Sequence, residues 1–111
     1  MTGNVLKYWE ADRVDCPSTT VPKLVTTLRG GESLTLKSPP ETKDLHYIGS
    51  NKDMIAARSY QLDKGETLTL MLPIEFGVDN YIEIWALPET AGDDICFVKL
   101  IDQFPQTAAS D

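Results

Sequence analysis

The segment Glu66-Thr67-Leu68-Thr69-Leu70-Met71-Leu72 decides the fold of this 111-residue chain. Leucine alternates with threonine along most of it, and successive side chains of a β-strand point to opposite faces of a sheet. The leucines would therefore share one face and the threonines the other. This pattern predicts a strand that buries one side in a hydrophobic core.

The same alternation recurs from Lys23 onward, and no window of the sequence shows a sustained helical period. Turn-forming residues such as Gly30-Gly31, Pro39-Pro40 and Asp63-Lys64-Gly65 separate the alternating runs at intervals of roughly 8–12 residues. Short strands at this spacing predict an all-β antiparallel sandwich or barrel, with a strand order that alternation leaves open. The predicted strands cover residues 23–28, 32–37, 44–48, 53–56, 66–72, 80–86 and 94–101.

The first 22 residues differ from the rest of the chain. Val5-Leu6-Lys7-Tyr8-Trp9 is a short apolar patch without a clean period, and the turn-rich segment Cys16-Pro17-Ser18-Thr19-Thr20-Val21-Pro22 follows it. The prolines lack a backbone donor and the threonines are restricted at χ1, so both disfavour a helix. We expect residues 1–22 to form an extended N-terminal arm or an irregular leading strand, and residues 23–111 to form the β-sandwich domain.

One motif occurs twice. Gly31-Glu32-Ser33-Leu34-Thr35-Leu36 recurs 34 residues later as Gly65-Glu66-Thr67-Leu68-Thr69-Leu70, and the same offset relates Tyr47 to Tyr81. One interpretation is that two halves of the sandwich use the same strand-turn-strand unit. The other is that any two amphipathic hairpin strands would look this similar. Two copies are too few for a solenoid, which needs at least three repeats.

The composition excludes several classes of function. The net charge is -7 and the isoelectric point about 4.5, whereas binding nucleic acid or an anionic membrane surface requires clustered Lys and Arg. No apolar run approaches the roughly 18 residues that span a bilayer, and the N-terminus lacks the pattern of a secretory signal. The two cysteines, Cys16 and Cys96, lie at no metal-ligand or redox spacing. We expect two reduced, half-buried thiols, with a single bridge between them as the alternative.

The sequence offers few groups for catalysis. His46 is the single histidine, and in a predicted strand it is more often a surface or edge residue than a base. The sequence contains no Gly-x-Ser-x-Gly elbow, phosphate-binding loop or calcium-loop pattern. Glu75, Asp79 and Glu83 could be offered as a glycosidase pair, but a solvated strand face explains them better. We therefore expect a protein that is not an enzyme and binds no metal or cofactor.

The aromatic residues Trp9, Tyr81 and Trp85 are the candidates for a contact site. If Ile82 and Ile84 face the core, then Tyr81 and Trp85 lie on the outer face of their strand. Exposed aromatic side chains on such a face indicate either a protein contact or a platform for stacking sugars. Two alternatives stay open: the strand has the opposite parity, or the N-terminal arm covers Trp85.

Residues 45–100 resemble small β-sandwich proteins encoded in the virion gene blocks of tailed phages. The resemblance lies in the order of four short elements, Tyr47-Ile48-Gly49-Ser50-Asn51, Met54-Ile55-Ala56, the Tyr60–Leu70 unit and Tyr81-Ile82-Glu83-Ile84-Trp85-Ala86-Leu87. Together with the length and the acidic charge, they look like the jelly-roll staple or cement proteins that decorate the heads of short-tailed phages of the epsilon15 kind. The matching motifs are structural, so no functional residue is transferred by the resemblance.

The resemblance implies a jelly-roll sandwich on the outside of a phage head, made in the host cytoplasm and often present as a symmetric homodimer. The expected partner is the major capsid protein, with no nucleic acid or membrane contact. The residues that we expect to make the contact are Val5, Leu6, Tyr8, Trp9, Tyr81 and Trp85. The alternative function is a carbohydrate-binding sandwich that uses the Tyr81 and Trp85 face.

Overall fold

The computed structural model describes residues 8–101. These residues form eight β-strands and two single-turn 3₁₀ helices, Ala56–Arg58 and Ile74–Phe76. The strands are β1 (Tyr8–Val14), β2 (Lys23–Arg29), β3 (Glu32–Lys37), β4 (His46–Gly49), β5 (Tyr60–Leu62), β6 (Thr67–Met71), β7 (Tyr81–Pro88) and β8 (Ile95–Ile101). No helix among the described residues is long and apolar enough to cross a membrane.

The strands form two four-stranded sheets. The first sheet has the order β1-β8-β3-β6 and the second has the order β2-β7-β4-β5. Every neighbouring pair is antiparallel. Most connections carry the chain from one sheet to the other, as in a double-sheet jelly roll. The predicted antiparallel β-sandwich is therefore confirmed, and the strand order that the sequence left open is that of a jelly roll.

The core lies between the two sheets and is built from the alternation in the sequence. Leu34 and Leu36 of β3 are fully buried, while Leu68 and Leu70 of β6 pack against them from the edge of the sheet. The core also contains Val25, Leu28, Ile48, Leu62, Ile84, Ala86, Ile95 and Phe97. Each large side chain that is fully removed from water stabilises the fold by about 1.5–3 kcal/mol. The leucines of the deciding segment thus face the core as predicted.

Two of the predicted elements differ in the structure. No strand covers residues 53–56, and the short strand β5 lies just beyond them. Met54 instead packs over Gly49, where an added Cβ would lie 2.8 Å from the Met54 Cβ atom. Met54 therefore covers the outer side of β4 at Gly49, and residues 53–56 do not extend the sheet.

The N-terminal segment also differs from a free arm where the structure describes it. Residues 8–14 form β1, which pairs along its whole length with β8 at one edge of the first sheet. Of the two alternatives, an extended arm or an irregular leading strand, residues 8–14 form a leading strand, and its register is regular. The sandwich therefore includes residues before Lys23, and residues 1–7 lie outside the described part of the chain.

The two copies of the repeated motif pair with each other. Strands β3 and β6 are antiparallel neighbours in the first sheet, and Thr35 lies opposite Thr69, the residue that corresponds to it in the other copy. The two hydroxyl oxygens are 3.2 Å apart, which is a hydrogen bond across the centre of the pair. Leu34 faces Leu70 and Leu36 faces Leu68 on the inner side. The pair is therefore approximately symmetric about its centre.

The turns that precede these strands repeat the same local structure. Gly31 and Gly65 have positive φ angles of 88° and 85°, in the region that favours glycine. The Glu32 carboxylate accepts a hydrogen bond from the N–H group three residues earlier at 2.8 Å, and the Glu66 carboxylate does the same at 3.1 Å. Shared hydrogen bonds, beyond shared composition, support the interpretation that β2-β3-β4 and β5-β6-β7 are copies of one unit.

Candidate contact surface

The outer face of the first sheet carries an apolar patch that the strand register assembles. Since Leu34 and Leu36 point inward, their neighbours along β3 point outward, and residues opposite each other across the sheet share a face. One cross-strand row contains Trp9, Leu100, Ser33 and Met71, and the next contains Ala11, Val98, Thr35 and Thr69. We call the surface formed by these two rows the Trp9 face.

The Trp9 face exposes large apolar side chains without charged ones. Trp9 is 66% exposed, Met71 68% and Val98 45%. The charged residues of this side of the sheet, Arg13 and Lys37, lie in the following row with Cys96 and Thr67. A contiguous apolar patch bordered by polar groups is typical of a protein interaction surface.

A shallow pocket lies at the end of the first row. It has a volume of about 330 Å³ and is lined by the start of β3, the end of β6 and the residues after β6, among them Glu32, Ser33, Met71, Pro73 and Ile74. Because Ser33 and Met71 belong to both the row and the pocket, the apolar surface continues into a recess. Such a recess can accept one anchoring side chain of a partner, a common arrangement at protein interfaces.

Tyr81 and Trp85 lie on the outer face of the second sheet. Ile84 is buried and Ile82 packs against the core, so the predicted parity of β7 is confirmed. Tyr81 is 51% exposed, and the Arg29 guanidinium carbon lies 5.2 Å from the centre of its ring. A cation in this position is attracted by the electron-rich face of the ring.

Trp85 is less available than Tyr81. Its side chain is half-buried, and its indole N–H donates a 3.0 Å hydrogen bond to the Glu83 carboxylate on the same face. Across the sheet it lies opposite Leu24 on one side and Gly49 on the other. Met54 occupies the space above Gly49, the residue opposite Trp85 on β4.

The structure does not bring the predicted contact residues into one site. Trp9 lies on the outer face of the first sheet, while Tyr81 and Trp85 lie on the outer face of the second. Tyr8 begins β1, and Val5 and Leu6 lie outside the described residues. The described aromatic candidates therefore belong to two separate surfaces on opposite sides of the sandwich.

Sequence reasoning missed Met71, Val98 and Leu100 as surface residues. A signal was present in β8, whose sequence Ile95-Cys96-Phe97-Val98-Lys99-Leu100-Ile101 is apolar at both parities. A strand with one wet face alternates, whereas a continuous apolar run indicates contacts on both sides. Ile95 and Phe97 fill the core, and Val98 and Leu100 are left for the outer face.

His46 is neither a surface nor an exposed edge residue, contrary to expectation. It is fully buried, and both ring nitrogens are engaged: Nδ1 lies 2.8 Å from the Ser38 hydroxyl and Nε2 lies 3.0 Å from the Asp93 carbonyl oxygen. In the neutral ring, Nε2 donates to the carbonyl, which only accepts, and Nδ1 accepts from the Ser38 hydroxyl. The Asp93 carboxylate in turn accepts from the backbone N–H groups of Lys43 and Asp44, at 3.0 and 3.1 Å. This network joins the loop before β4 to the loop before β8.

The two cysteines are both free thiols, which agrees with the expected reduced state. Cys16 is buried in the core, and Cys96 is half-buried on the outer side of β8. Burial raises the pKa of the Cys16 thiol from an ordinary value of 9.0 to about 12, and the neighbouring Asp15 carboxylate adds to the shift. Cys16 is therefore an uncharged core residue at neutral pH.

Within residues 8–101, no three His, Cys, Asp or Glu side chains are grouped so that they could hold a metal ion. No protein-family model matches this chain, and neither curated proteins nor solved structures gave a match.

Proposed function

We propose that this protein decorates a phage capsid, binding the outer surface of the major capsid protein shell and stabilising the head through non-covalent contacts. The observation that carries the proposal is the Trp9 face, with Trp9, Val98 and Met71 exposed on a sheet surface without charged residues. The resemblance of residues 45–100 to capsid staple proteins suggests the kind of partner. In this role the protein acts in the virion, on the exterior of the capsid.

The Trp9 face is suited to a decoration protein because it gains binding energy without needing a deep cavity. Full burial of an indole or a large aliphatic side chain contributes about 1.5–3 kcal/mol before ordering costs are subtracted. Because the sheet already holds the backbone of these residues in place, docking costs the rotamer freedom of the side chains but not the ordering of a loop. Many copies on one shell make weak individual contacts effective, because one capsid carries many identical sites.

The proposal assigns binding and not catalysis to the molecule. The groups that could resemble catalytic partners, Ser38 and His46, lie in the interior, and their hydrogen bonds connect loops at one end of the sandwich. The histidine Nε2 bonds to a backbone carbonyl and not to a carboxylate. This geometry supports a structural role for the pair.

Binding to phage heads that lack the protein tests the proposal. Trp9→Ala and Val98→Ser are expected to weaken binding, each at least about tenfold if the side chain is buried in the contact. Val21→Ser is the matched control, because Val21 is 65% exposed in the loop before β2, outside both sheets. Binding should be measured by cosedimentation, and head stability by DNA retention on heating. Equal binding by all three variants would exclude the Trp9 face.

The contribution of the arm needs a separate variant. Deletion of residues 1–7 removes Val5 and Leu6 but leaves β1 complete. If these residues add to the contact, the truncated protein binds heads more weakly while it unfolds at the same denaturant concentration as the full chain. Unchanged binding would leave the Trp9 face as the sole described contact surface and would remove the arm from the mechanism.

The second candidate function is carbohydrate binding on the outer face of the second sheet. Tyr81 is exposed there beside Arg29, and Trp85 lies on the same face with the Glu83 carboxylate between them in sequence. Titration with oligosaccharides, monitored by tryptophan fluorescence, tests this function. A saturable change that Trp85→Ala and Tyr81→Ala abolish, and that Trp9→Ala preserves, would favour the sugar over the capsid. No change in fluorescence would leave the capsid proposal unaffected.

A further inference from the structure

Strand β6 has an open edge with the features of a pairing surface. It is the outermost strand of the first sheet, with β3 on one side and no neighbouring strand on the other among residues 8–101. Its sequence, Thr67-Leu68-Thr69-Leu70-Met71, contains no charge and no proline, and its register with β3 is continuous, without a bulge. Edge strands of monomeric proteins usually carry at least one of these protective features.

The other three edges of the sandwich are protected. Strand β5 is only three residues long, and β2 has an irregular register between Leu24 and Thr26 with a charged residue at each end. Strand β1 carries three charged side chains, namely Glu10, Asp12 and Arg13. All three devices discourage pairing with another strand. Among the edges of the described sandwich, β6 alone lacks them.

The backbone groups at this edge are available. At the ends of the β3–β6 pair, Leu72 N–H donates to the Glu32 carbonyl at 3.1 Å and Ser38 N–H donates to the Glu66 carbonyl at 3.2 Å. In an antiparallel ladder the hydrogen-bonded residues of one strand alternate, so the even-numbered residues of β6 bond to β3. The N–H and C=O groups of Thr67, Thr69 and Met71 therefore point toward the open edge.

The internal repeat indicates that a further strand can pair with this edge. Strand β3, the counterpart of β6 in the other copy of the unit, is paired on both sides, with β6 and with β8. The symmetry that exchanges β3 and β6 carries β8 to a position beside the open edge of β6. Within residues 8–101, no strand occupies that position.

The chemistry of β6 favours a second copy of itself in that position. Strand β6 already pairs with a near-copy of its own sequence, since Leu34, Thr35 and Leu36 of β3 face Leu70, Thr69 and Leu68. Two β6 strands related by a two-fold axis through Thr69 would repeat these matches, with threonine opposite threonine and leucine opposite leucine.

We propose that two copies of this chain associate through antiparallel pairing of their β6 strands, centred on Thr69. The pairing forms about six backbone hydrogen bonds, two for each of the three opposed pairs, and joins the two four-stranded first sheets into one continuous sheet. It also covers Leu68 and Leu70, which are only half-buried in the single chain. Because the remaining edges are protected, the assembly closes as a dimer and does not grow into a filament. This association does not depend on the capsid-binding proposal.

Charge substitutions at the two-fold axis test the dimer. In the proposed register Thr69 faces Thr69 of the second copy, so Thr69→Lys and Thr69→Asp each oppose two like charges and are expected to weaken dimerisation at least about tenfold. Thr35→Lys is the matched control: it removes the same hydroxyl pair and adds the same charge on the same face, one strand away from the edge. Mass is measured by light scattering over a concentration series, with circular dichroism to confirm that each variant is folded.

The test has a second step that depends on the register. An equimolar mixture of Thr69→Lys and Thr69→Asp is expected to dimerise at least as well as the wild type, because opposite charges then face each other. Trp9→Ala is expected to leave dimerisation unchanged. A wild-type protein that stays monomeric up to its solubility limit would overturn the proposal. A dimer that Thr69→Lys leaves intact, or a mixture that stays monomeric, would overturn it as well.

Discussion

Removal of the Ser38 hydroxyl should destabilise the fold by more than is usual for the loss of one small polar group. In Ser38→Ala, the Nδ1 atom of His46 loses its donor in a site where both side chains are fully buried. The substitution leaves the nitrogen without its protein partner in a part of the core that is not exposed to solvent. A buried acceptor in this state costs about 1–3 kcal/mol, a large share of the 5–15 kcal/mol that typically stabilises a domain. The midpoint of thermal unfolding should fall by about 4–8 °C for each kcal/mol.

Urea unfolding, monitored by tryptophan fluorescence, measures this loss. Ser33→Ala is the matched control, because Ser33 lies on the outer face of β3, the strand that ends just before Ser38, and should change stability by less than about 0.5 kcal/mol. The double variant Ser38→Ala/His46→Leu removes the unpaired acceptor as well as its donor. Its loss in free energy of unfolding should therefore differ from the sum of the two single losses by at least about 0.5 kcal/mol. Equal losses for Ser38→Ala and Ser33→Ala would refute the assignment of this pair as a structural anchor.

Three further predictions concern other parts of the sandwich. In the native protein at neutral pH, a thiol reagent should modify Cys96 and spare the buried Cys16, and equal modification rates would contradict this. Because the pKa of Cys16 is about 12 in the folded protein, the unfolded chain ionises first, and the free energy of unfolding should decline as the pH rises from 9.0 toward 12. Lys99→Met should cost about 1–3 kcal/mol in urea unfolding, because the ammonium group donates at 2.9 Å to a β2 carbonyl between the sheets, while Lys37→Met on the surface should cost less than about 0.5 kcal/mol. Gly65→Ala should cost about 1–2 kcal/mol through its positive φ alone, since no atom lies closer than 4.0 Å to the added Cβ, and a neutral effect would argue against that backbone conformation.

Strands with a regular leucine alternation could be predicted from the sequence, and strands without one could not. Strands β3 and β6 appear within one residue of their predicted bounds, because one face is buried and the other carries threonine. Strand β5 was missed because three residues are too few to show a period. The apolar residues around Met54 predicted a strand, but only Met54 packs over Gly49, and Ile55 is exposed.

The placement of polar groups depended on tertiary contacts that a sequence does not contain. His46 follows the alternation of β4 onto the inner face, and its burial is tolerated only because Ser38 in the preceding loop and the Asp93 carbonyl in the loop before β8 both bond to it. Lys99 likewise points between the sheets, where Thr26 and Thr27 of β2 receive its ammonium group. A buried polar side chain is stable when its partners are present, and nothing near His46 or Lys99 in sequence identifies those partners.

The strands inside the repeat build the core, and the strands outside it carry the proposed contact surface. The two copies of the unit, β2-β3-β4 and β5-β6-β7, supply most of the leucine core and both edges of the second sheet. Strands β1 and β8 lie outside the repeat, and they contribute Trp9, Val98 and Leu100 to the Trp9 face. They pair on the β3 side only, so the same addition that creates the apolar face leaves β6 without a partner. The proposed capsid contact and the proposed dimer edge thus follow from one asymmetric extension of a nearly symmetric scaffold.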